Sequence, residues 1–516
     1  MAQVYKRCYG QKQKKVVRLL KKLPADAVCT VKKPLHLRSF KPKVMVFSSS
    51  LFLLYFLPAF LILYFVVPRF LKNYVALISS VFFYAWGAPD FIFIVLGSII
   101  IDFYLVKFLY TSTGNKKRWL TGASIALNIG MLSYFKYANF FVENIDALLG
   151  VAGMGPVSWT QVALPIGISF FTFQKMTYAI DVYRGLHPPL KKVTDLALYI
   201  LMFPQLIAGP IVRFNEIAQQ LVDRRNNENT DNRLTGFFRF AVGLAKKVLI
   251  ANTLGAYADS VFAADPDILS TSTLWIGIIA YAFQIYYDFA GYSDMAIGLG
   301  RMIGFDFPEN FNNPYISQNI SEFWRRWHMT LGRWMRDYLY IPLGGSKVSV
   351  RRMYYNLWLV FLISGLWHGA AWNFVVWGAF HGFFLIADRM FLLRFYERIG
   401  KFPSVLITFV VTLVGWVLFR AESMDQAWSY IAGMFAFRGG EEIFAANSVW
   451  FMIAFGGIFG FIAYFPAIEQ WQVRLFGKQQ KFRNLILMTL ASVILFVLSL
   501  SSITSSGFNP FIYFRF

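Results

Sequence analysis

The chain has 516 residues, of which 57% are hydrophobic and 15% carry a charge, against about 25% charged residues in an ordinary soluble domain. This balance excludes a disordered chain and argues against a water-soluble globule, so the composition predicts one large polytopic membrane unit. The formal net charge of +23 comes without a nucleic-acid recognition motif, which favours membrane lipids over nucleic acid as partners of the basic segments.

The first 44 residues form a basic segment that differs from the rest of the chain. They contain 13 Lys and Arg residues, a single acid at Asp26, and both cysteines, Cys8 and Cys29. The segment is too polar for a signal peptide, and Met45 directly precedes the first apolar stretch. We therefore expect either a basic cytoplasmic tail or a start codon placed too early. The absence of cysteine after residue 44 excludes a disulfide or a cysteine nucleophile there.

Residues 45–516 are expected to form a single membrane domain, because a bilayer span needs about 20 mostly apolar residues and such windows follow one another. The windows lie at 47–67, 73–87, 90–110, 119–135, 195–213, 235–255, 273–300, 356–367, 370–388, 404–420, 448–466 and 484–503. Two stretches, 163–173 and 203–212, place Pro and Gly inside apolar sequence. Irregular backbone at membrane depth must be buried in protein or line a cavity, so both predict a funnel or a re-entrant element.

A hydrophilic island at 309–352 mixes aromatic and cationic residues. Its apolar residues recur at three- and four-residue spacing, at Trp324, Trp327, Leu331, Trp334 and Tyr338. Arginines fall mostly between them, at Arg325, Arg326, Arg333 and Arg336. This pattern predicts one amphipathic helix over 323–340 that lies at the membrane interface. Within it, His328 can point either to headgroups or into a cavity.

Ionisable residues inside apolar sequence are the candidates for chemistry, because a charge at membrane depth is costly. His368 lies in SGLWHGAAWNF, between two apolar half-segments and next to glycine, which allows close approach of a substrate or another backbone. The residues alone leave two interpretations open, a catalytic group or a hydrogen bond to a neighbouring helix. His381, in WGAFHGFF, is expected to be structural.

Three further charged residues interrupt apolar sequence. For Asp288 and Asp294, in YYDFAGYSDMAIGLG, a structural ion pair with an arginine of 325–336 is favoured over direct catalysis. Lys136, in SYFKYANFF, is expected to extend toward the membrane interface. No HExxH motif or close histidine pair predicts a metal site, and no Walker or GxSxG motif supports ATP-driven transport or a serine hydrolase.

Seven motifs follow one another in the chain: MVFSSSLFLLYFLP at 45–58, YFKYANFF at 134–141, LPIGISFFTFQ at 164–174, FPQLIAGPIVRF at 203–214, YDFAGYSDMAIGLG at 287–300, NFNNPYISQNISEFWRRWHMTLGRWMRDYLYIPLGG at 310–345 and GLWHGAAWNFVVWGAFHG at 365–382. Together they resemble the membrane-bound O-acyltransferase superfamily, in particular its bacterial alginate-acetylating branch. The resemblance implies an all-α helical bundle with a central funnel and interfacial or re-entrant helices. It also implies that His368 matches the family's invariant intramembrane histidine, and His328 the second histidine.

The resemblance further implies a function in the inner membrane. An acetyl group, with acetyl-CoA as the expected donor, would be moved from the cytoplasm across the membrane. A periplasmic or extracellular partner of the SGNH type would then esterify a polysaccharide. Arg325 and Arg326 are expected to neutralise the phosphates of the donor, with lipid headgroups as the alternative contact. No tightly bound cofactor is expected.

The last ten residues, 507–516, form an aromatic tail that resembles the FIYxxF terminus of this branch. Tyr513 in this tail is either an interfacial anchor or an acyl carrier whose phenol a histidine deprotonates. Peptidoglycan O-acetylation and teichoic-acid D-alanyl transfer, which related proteins perform, remain alternatives for the acceptor. A membrane transporter without acyl chemistry remains an alternative of another class.

Overall fold

The computed structural model describes residues 45–505, and every regular element in that part of the chain is helical. A π-helical turn, Phe52–Phe56, precedes the first α-helix. The helices of the first half are α1 Leu57–Val66, α2 Lys72–Gly87, α3 Ile92–Thr111, α4 Gly114–Leu132, α5 Ala138–Val151, α6 Ile168–Tyr183, α7 Val193–Leu201, α8 Phe203–Leu206, α9 Phe214–Val222, α10 Thr230–Ala245 and α11 Asn252–Ala263. The basic segment 1–44 and residues 506–516, with Tyr513, lie outside the described residues.

The second half begins with the longest helix of the described chain, which is almost entirely buried. Its helices are α12 Thr271–Met302, α13 Ile320–Arg326, α14 Met329–Met335, α15 Val350–His368, α16 Trp372–Ala387, α17 Leu393–Ile399, α18 Lys401–Arg420, α19 Met424–Phe435, α20 Asn447–Phe461, α21 Pro466–Leu475 and α22 Phe482–Ser505. Short π-helical turns extend α4, α10, α14 and α16 at their C-terminal ends. The prediction of an all-α polytopic membrane protein is confirmed.

Helices α10 and α12 pack backbone to backbone along two pairs of glycines. A Cβ atom added at Gly243 would lie 2.5 Å from the carbonyl oxygen of Gly291, and one added at Gly236 would lie 2.7 Å from that of Gly298. Each helix repeats its glycine after seven residues, so both contacts fall on one face. Such close approach by small residues is how helices associate in lipid, where burial of apolar side chains supplies no driving force.

Five helical segments among residues 45–505 are long and apolar enough to cross a bilayer. They are Pro89–Thr111, Trp372–Ile399, Lys401–Arg420, Asn447–Tyr464 and Phe482–Ser505. Several of the twelve predicted windows do not form a single lipid-facing helix in the structure. The window 195–213 is interrupted at Met202, where α7 ends and the four-residue α8 begins, and α12 is surrounded by protein rather than lipid.

The predicted single helix over 323–340 is wrong, because the chain breaks inside it. Helix α13 ends at Arg326 and α14 begins at Met329, and the backbone of His328 between them is left-handed, with φ of 44° and ψ of 51°. Few residues other than glycine adopt this conformation, and it is concentrated at functional sites. The break turns the His328 side chain into the protein.

Candidate active site

The side chain of His328 lies inside the protein, where contacts of its ring hold it. The side chain is 1% exposed. Its Nδ1 atom lies 2.9 Å from Oδ1 of Asn310, and the ring of Phe289 packs edge-on against it at a centroid distance of 4.7 Å. The ring of Trp367 lies on another side, at 6.3 Å. The sequence left two orientations open for His328, and the structure places it in the interior.

His368 is the last residue of α15, and its backbone is held by the turn that follows α4. Lys136 Nζ donates hydrogen bonds to the carbonyl oxygens of Trp367 and His368, the latter at 3.0 Å, and contacts Ser169 Oγ at 3.3 Å. The hydroxyl of Tyr137 donates to Leu366 O at 2.6 Å. The last carbonyls of a helix lack partners within it and carry partial negative charge. The prediction that Lys136 extends to the interface is therefore wrong, since its ammonium caps α15.

The ring of His368 is positioned by aromatic packing. Trp367, Trp377 and Phe419 lie edge-on to it at centroid distances of 4.9, 5.1 and 5.4 Å. Among residues 45–505 the only hydrogen bond at His368 outside its helix is the one from Lys136 to its carbonyl oxygen. The ring thus keeps both nitrogens for other partners, and it faces a cavity.

We call this space the His368 cavity, and its volume is about 190 Å³. Besides His368, the lining residues are Lys136, Trp367, Ile207 and residues 164–170. Gly167 has φ of 74°, and a Cβ there would lie 2.8 Å from Leu206 O, so glycine is required at this point of the wall. Both irregular stretches, 163–173 and 203–212, contribute to the lining. Irregular backbone at this depth thus lies against a cavity, while the predicted funnel or re-entrant element stays a prediction.

A second, larger cavity of about 580 Å³ is lined in part by Asn310, the residue that contacts His328. We call it the Asn310 cavity. Its wall includes polar side chains and a chain of ion pairs, contributed by Ser293, Asn310, Asn312, Asn313, Gln472, Arg239, Lys246, Asp294, Glu309 and Glu469. Its three carboxylates outnumber its two cations and much of the remaining wall is apolar, so the cavity favours an uncharged guest over a phosphate. The two cavities share no lining residue.

A short series of packed side chains connects the walls of the two cavities. Trp367 lines the His368 cavity, Asn310 lines the other, and His328 lies between them with Phe289 beside it. We call Trp367, His328 and Phe289 the partition. His328, within the partition, and His368, in the wall of one cavity, are close enough to interact electrostatically. The two histidines therefore lie near both cavities, His368 in the wall of one and His328 beside Asn310 in the wall of the other.

The two aspartates of α12 form ion pairs, as favoured from the sequence, but with other partners than predicted. Asp288 Oδ1 lies 2.8 Å from Lys247 Nζ. Asp294 accepts hydrogen bonds from Arg239 and Lys246, each at 2.7 Å. The cations come from α10 and the turn after it, because the glycine contacts bring that element against α12. The arginines of 325–336 do not supply these partners.

Arg325 and Arg326 line neither cavity. The side chain of Arg326 is occupied by Glu322 and Glu469, each at 2.9 Å, and Arg325 is exposed. Arg336 is also exposed and pairs with Asp337, whose hydrogen bond raises the pKa of the guanidinium. The cations that line the Asn310 cavity are Arg239 and Lys246, which the sequence did not single out because nothing in it ties them to the histidines.

The remaining predicted site residues are also located. His381 is buried against Trp324 and Trp377, both at ring-centroid distances of 5.0 Å, and lines neither cavity, as expected for a structural residue. No group of three or more metal-binding side chains occurs among residues 45–505. The sequence reasoning missed Asn310 and the capping role of Lys136. Both lie in motifs quoted above, but a helix cap or an amide–imidazole contact between distant segments leaves no local pattern.

Comparison with known proteins shows which family the chain is similar to. A family model described as MBOAT, membrane-bound O-acyltransferase family, matches residues 190–419. The chain is 44% identical over 397 residues to a probable alginate O-acetylase of Azotobacter vinelandii, covering 76% of this chain and 78% of that protein. It is 39% identical to a probable alginate O-acetylase of Pseudomonas putida, over 92% of this chain and 100% of the relative. A peptidoglycan O-acetyltransferase of Helicobacter pylori is 37% identical, over 77% and 81%.

Proposed function

Because the chain belongs to the membrane-bound O-acyltransferase family, we propose that it is the membrane component of a system that O-acetylates an extracytoplasmic polysaccharide of the alginate type. Membership of the family makes it a multi-pass membrane acyltransferase. The observation that carries the proposal is the pair of histidines at the partition between two cavities. The alginate O-acetylases of similar length and sequence support the acetyl group and the polysaccharide.

The Asn310 cavity is the proposed donor site, with acetyl-CoA as the donor. The amides of Asn312, Asn313 and Gln472 in its wall can exchange hydrogen bonds with the amide groups of the pantetheine arm. The phosphates would then stay outside the cavity, which fits the excess of carboxylates in its wall. Arg325 and Arg326 are therefore less suited to the donor than the sequence predicted.

The His368 cavity is the proposed acceptor site. The acceptor hydroxyl attacks the acetyl carbonyl while His368 takes its proton. The ester C–O bond forms as the thioester C–S bond breaks, and the proton passes to the departing thiolate. The products are an acetyl ester and a free thiol. A neutral imidazole suits this task because it is less costly to bury than a carboxylate or an ammonium.

The direct test is release of labelled acetate from acetyl-CoA, with water as the acceptor, by the purified full chain in lipid nanodiscs. We expect slow turnover in the wild type and none above background in His368→Gln. Turnover that survives this change would contradict the proposed base. The absence of any turnover in the wild type, together with passage of acetyl-CoA through the chain in liposomes, would favour the transporter alternative.

Sidedness can be tested because residues 45–516 contain no cysteine. In a chain with Cys8→Ser and Cys29→Ser, Leu164→Cys reports on the His368 cavity and Val473→Cys on the Asn310 cavity; both positions are exposed and line their cavity. An impermeant thiol reagent applied outside the cytoplasmic membrane should label the first and spare the second. The reverse pattern would contradict a cytoplasmic donor site.

Tyr513 remains the proposed acyl carrier, and an SGNH-type acetyltransferase outside the membrane remains the proposed partner. Tyr513→Phe keeps the aromatic ring and removes the hydroxyl, so it should stop polymer acetylation while the protein still inserts into the inner membrane. Wild-type acetylation in this variant would leave direct transfer from the donor to the partner. The peptidoglycan O-acetyltransferase relative makes peptidoglycan the second candidate acceptor. Acetyl ester content of both polymers in a deletion strain distinguishes the two.

A further inference from the structure

We propose that Asn310 is a positioning residue that fixes the tautomer of His328, so that Nδ1 carries the proton and Nε2 presents its lone pair at the partition. The inference rests on the proposed function for its catalytic meaning. The tautomer itself is a property of the folded chain and can be measured without any acyl donor.

The orientation of the Asn310 amide follows from its partners. The backbone N–H of Thr330, which can only donate, lies 3.3 Å from Oδ1 of Asn310, and the Thr330 hydroxyl donates to the same atom at 2.8 Å. The other end, Nδ2, donates to Ser293 Oγ at 2.9 Å. The atom that faces Thr330 and His328 is therefore the carbonyl oxygen, which has no proton to give.

Only one tautomer of the neutral imidazole can donate a hydrogen bond to this oxygen. His328 Nδ1 lies 2.9 Å from it, so Nδ1 must carry the proton and donate. In the neutral ring Nε2 is then an acceptor. Nε2 is fully buried and has no hydrogen-bond partner among residues 45–505. A buried acceptor without a partner is costly, and such an atom at the partition is available to a reacting hydroxyl.

The surrounding backbone keeps Asn310 in place. Met329 N donates to Asn310 O at 2.9 Å, and Asn312 N donates to Arg326 O at 2.9 Å, so the segment before α13 is tied to the break that carries His328. Asn310, Ser293 and Thr330 are each at most 2% exposed. Three segments of the chain thus meet at one amide, which restricts both the position and the rotation of the His328 ring.

The ionisable groups around this contact can be named. His368 interacts electrostatically with His328 and with Lys136. Asp294, on the helix that supplies Ser293, is engaged by Arg239 and Lys246, and Glu309, the chain neighbour of Asn310, is engaged by Arg239. None of them hydrogen-bonds His328. A change in the protonation behaviour of His328 after substitution of Asn310 can therefore be assigned to the amide contact.

The first test is nitrogen-15 NMR of the full chain in lipid, with labelled histidine. Comparison with His328→Asn identifies the His328 signals among those of the five histidines. We expect a protonated Nδ1 and an unprotonated Nε2 in the wild type, and a mixture of tautomers in Asn310→Leu. Asn356→Leu, which removes another buried amide whose partner is the carbonyl of Leu343, should leave His328 unchanged. A protonated Nε2 in the wild type, or an unchanged tautomer in Asn310→Leu, would overturn the proposal.

The second test is kinetic and uses acetyl-CoA as the probe. Asn310→Leu should lower kcat about tenfold to a hundredfold, as a displaced catalytic group does, with KM unchanged. Asn310→Asp should recover part of this loss and shift the acidic limb of the kcat profile to higher pH, because a carboxylate stabilises the imidazolium. Equal losses in both variants, with no pH shift, would reduce Asn310 to a packing residue. If the wild type shows no turnover, the proposed function fails, and the NMR measurement still decides the tautomer.

Discussion

His328 and His368 lie on either side of Trp367, yet the chain positions them by different means. His328 is held through its ring, by Asn310, at a strained backbone position. His368 is held through its backbone, by Lys136 and Tyr137, and its ring meets only aromatic surfaces and a cavity. The first arrangement fixes which nitrogen carries the proton, and the second leaves either nitrogen of His368 able to exchange one. In the proposed mechanism, this difference gives the movable proton to His368 and makes His328 a fixed acceptor.

The strongest test of this division is the ring of His368. His368→Gln removes the base and keeps a polar side chain of similar length, so kcat with acetyl-CoA should fall by about 10²–10⁴-fold, the usual contribution of a general base. The amount of folded protein in the membrane should not change, because the ring makes no hydrogen bond that holds the fold. Activity within about twofold of wild type would show that the roles are reversed or that neither ring is the base.

At His328 the effect of the backbone conformation can be measured separately from the effect of the ring. Asn tolerates the left-handed conformation and Ala does not, so His328→Asn and His328→Ala should lose similar activity, about 10²-fold. His328→Ala should be less stable than His328→Asn by about 1 kcal/mol, because both lose the ring but only Ala disfavours the left-handed backbone. Initial rates and thermal unfolding in detergent measure the two effects. Equal stability of both variants would mean that the left-handed position is not under strain.

A smaller effect is expected where the chain holds the backbone of His368. Lys136→Met keeps the length of the side chain but leaves the carbonyls at the end of α15 without a cation, and unsatisfied buried groups cost about 1–3 kcal/mol. A slight displacement of His368 should lower kcat about tenfold. Lys136→Arg, which can still donate, should retain more activity. If Lys136→Met raised KM alone, the ammonium would bind substrate instead of capping the helix.

The smallest effect is expected at Ser293, whose hydroxyl accepts a hydrogen bond from the Asn310 amide. Ser293→Ala removes one hydrogen bond to the amide, worth about 1 kcal/mol, and leaves both bonds from Thr330. The rate should fall no more than about fivefold, as that energy allows, and His328 should keep its tautomer. A loss as large as that of His328→Asn would show that Ser293 takes part in the reaction itself.

The sequence predicted the fold class, the membrane character and the cavity-lining irregular stretches because composition, hydropathy and misplaced Pro and Gly are local properties. It did not predict the break at His328, since the three- and four-residue spacing of aromatics continues through it. The predicted partners of Asp288 and Asp294 and the predicted position of Lys136 were wrong for one reason. Which helices meet is decided by close contacts such as those between the glycines of α10 and α12, and a single sequence does not reveal those contacts.

The partition also has an electrical consequence. Moving one elementary charge through a membrane potential of 100 mV takes about 2.3 kcal/mol of work. A water-filled path between the two cavities would let protons leak along it. Trp367 and Phe289 pack against the imidazole of His328 and place apolar rings where such a path would run. In the proposed reaction the acetyl group is uncharged, so its transfer from thioester to ester costs no electrical work. The side chains proposed to lie between the two substrates would then also insulate the membrane.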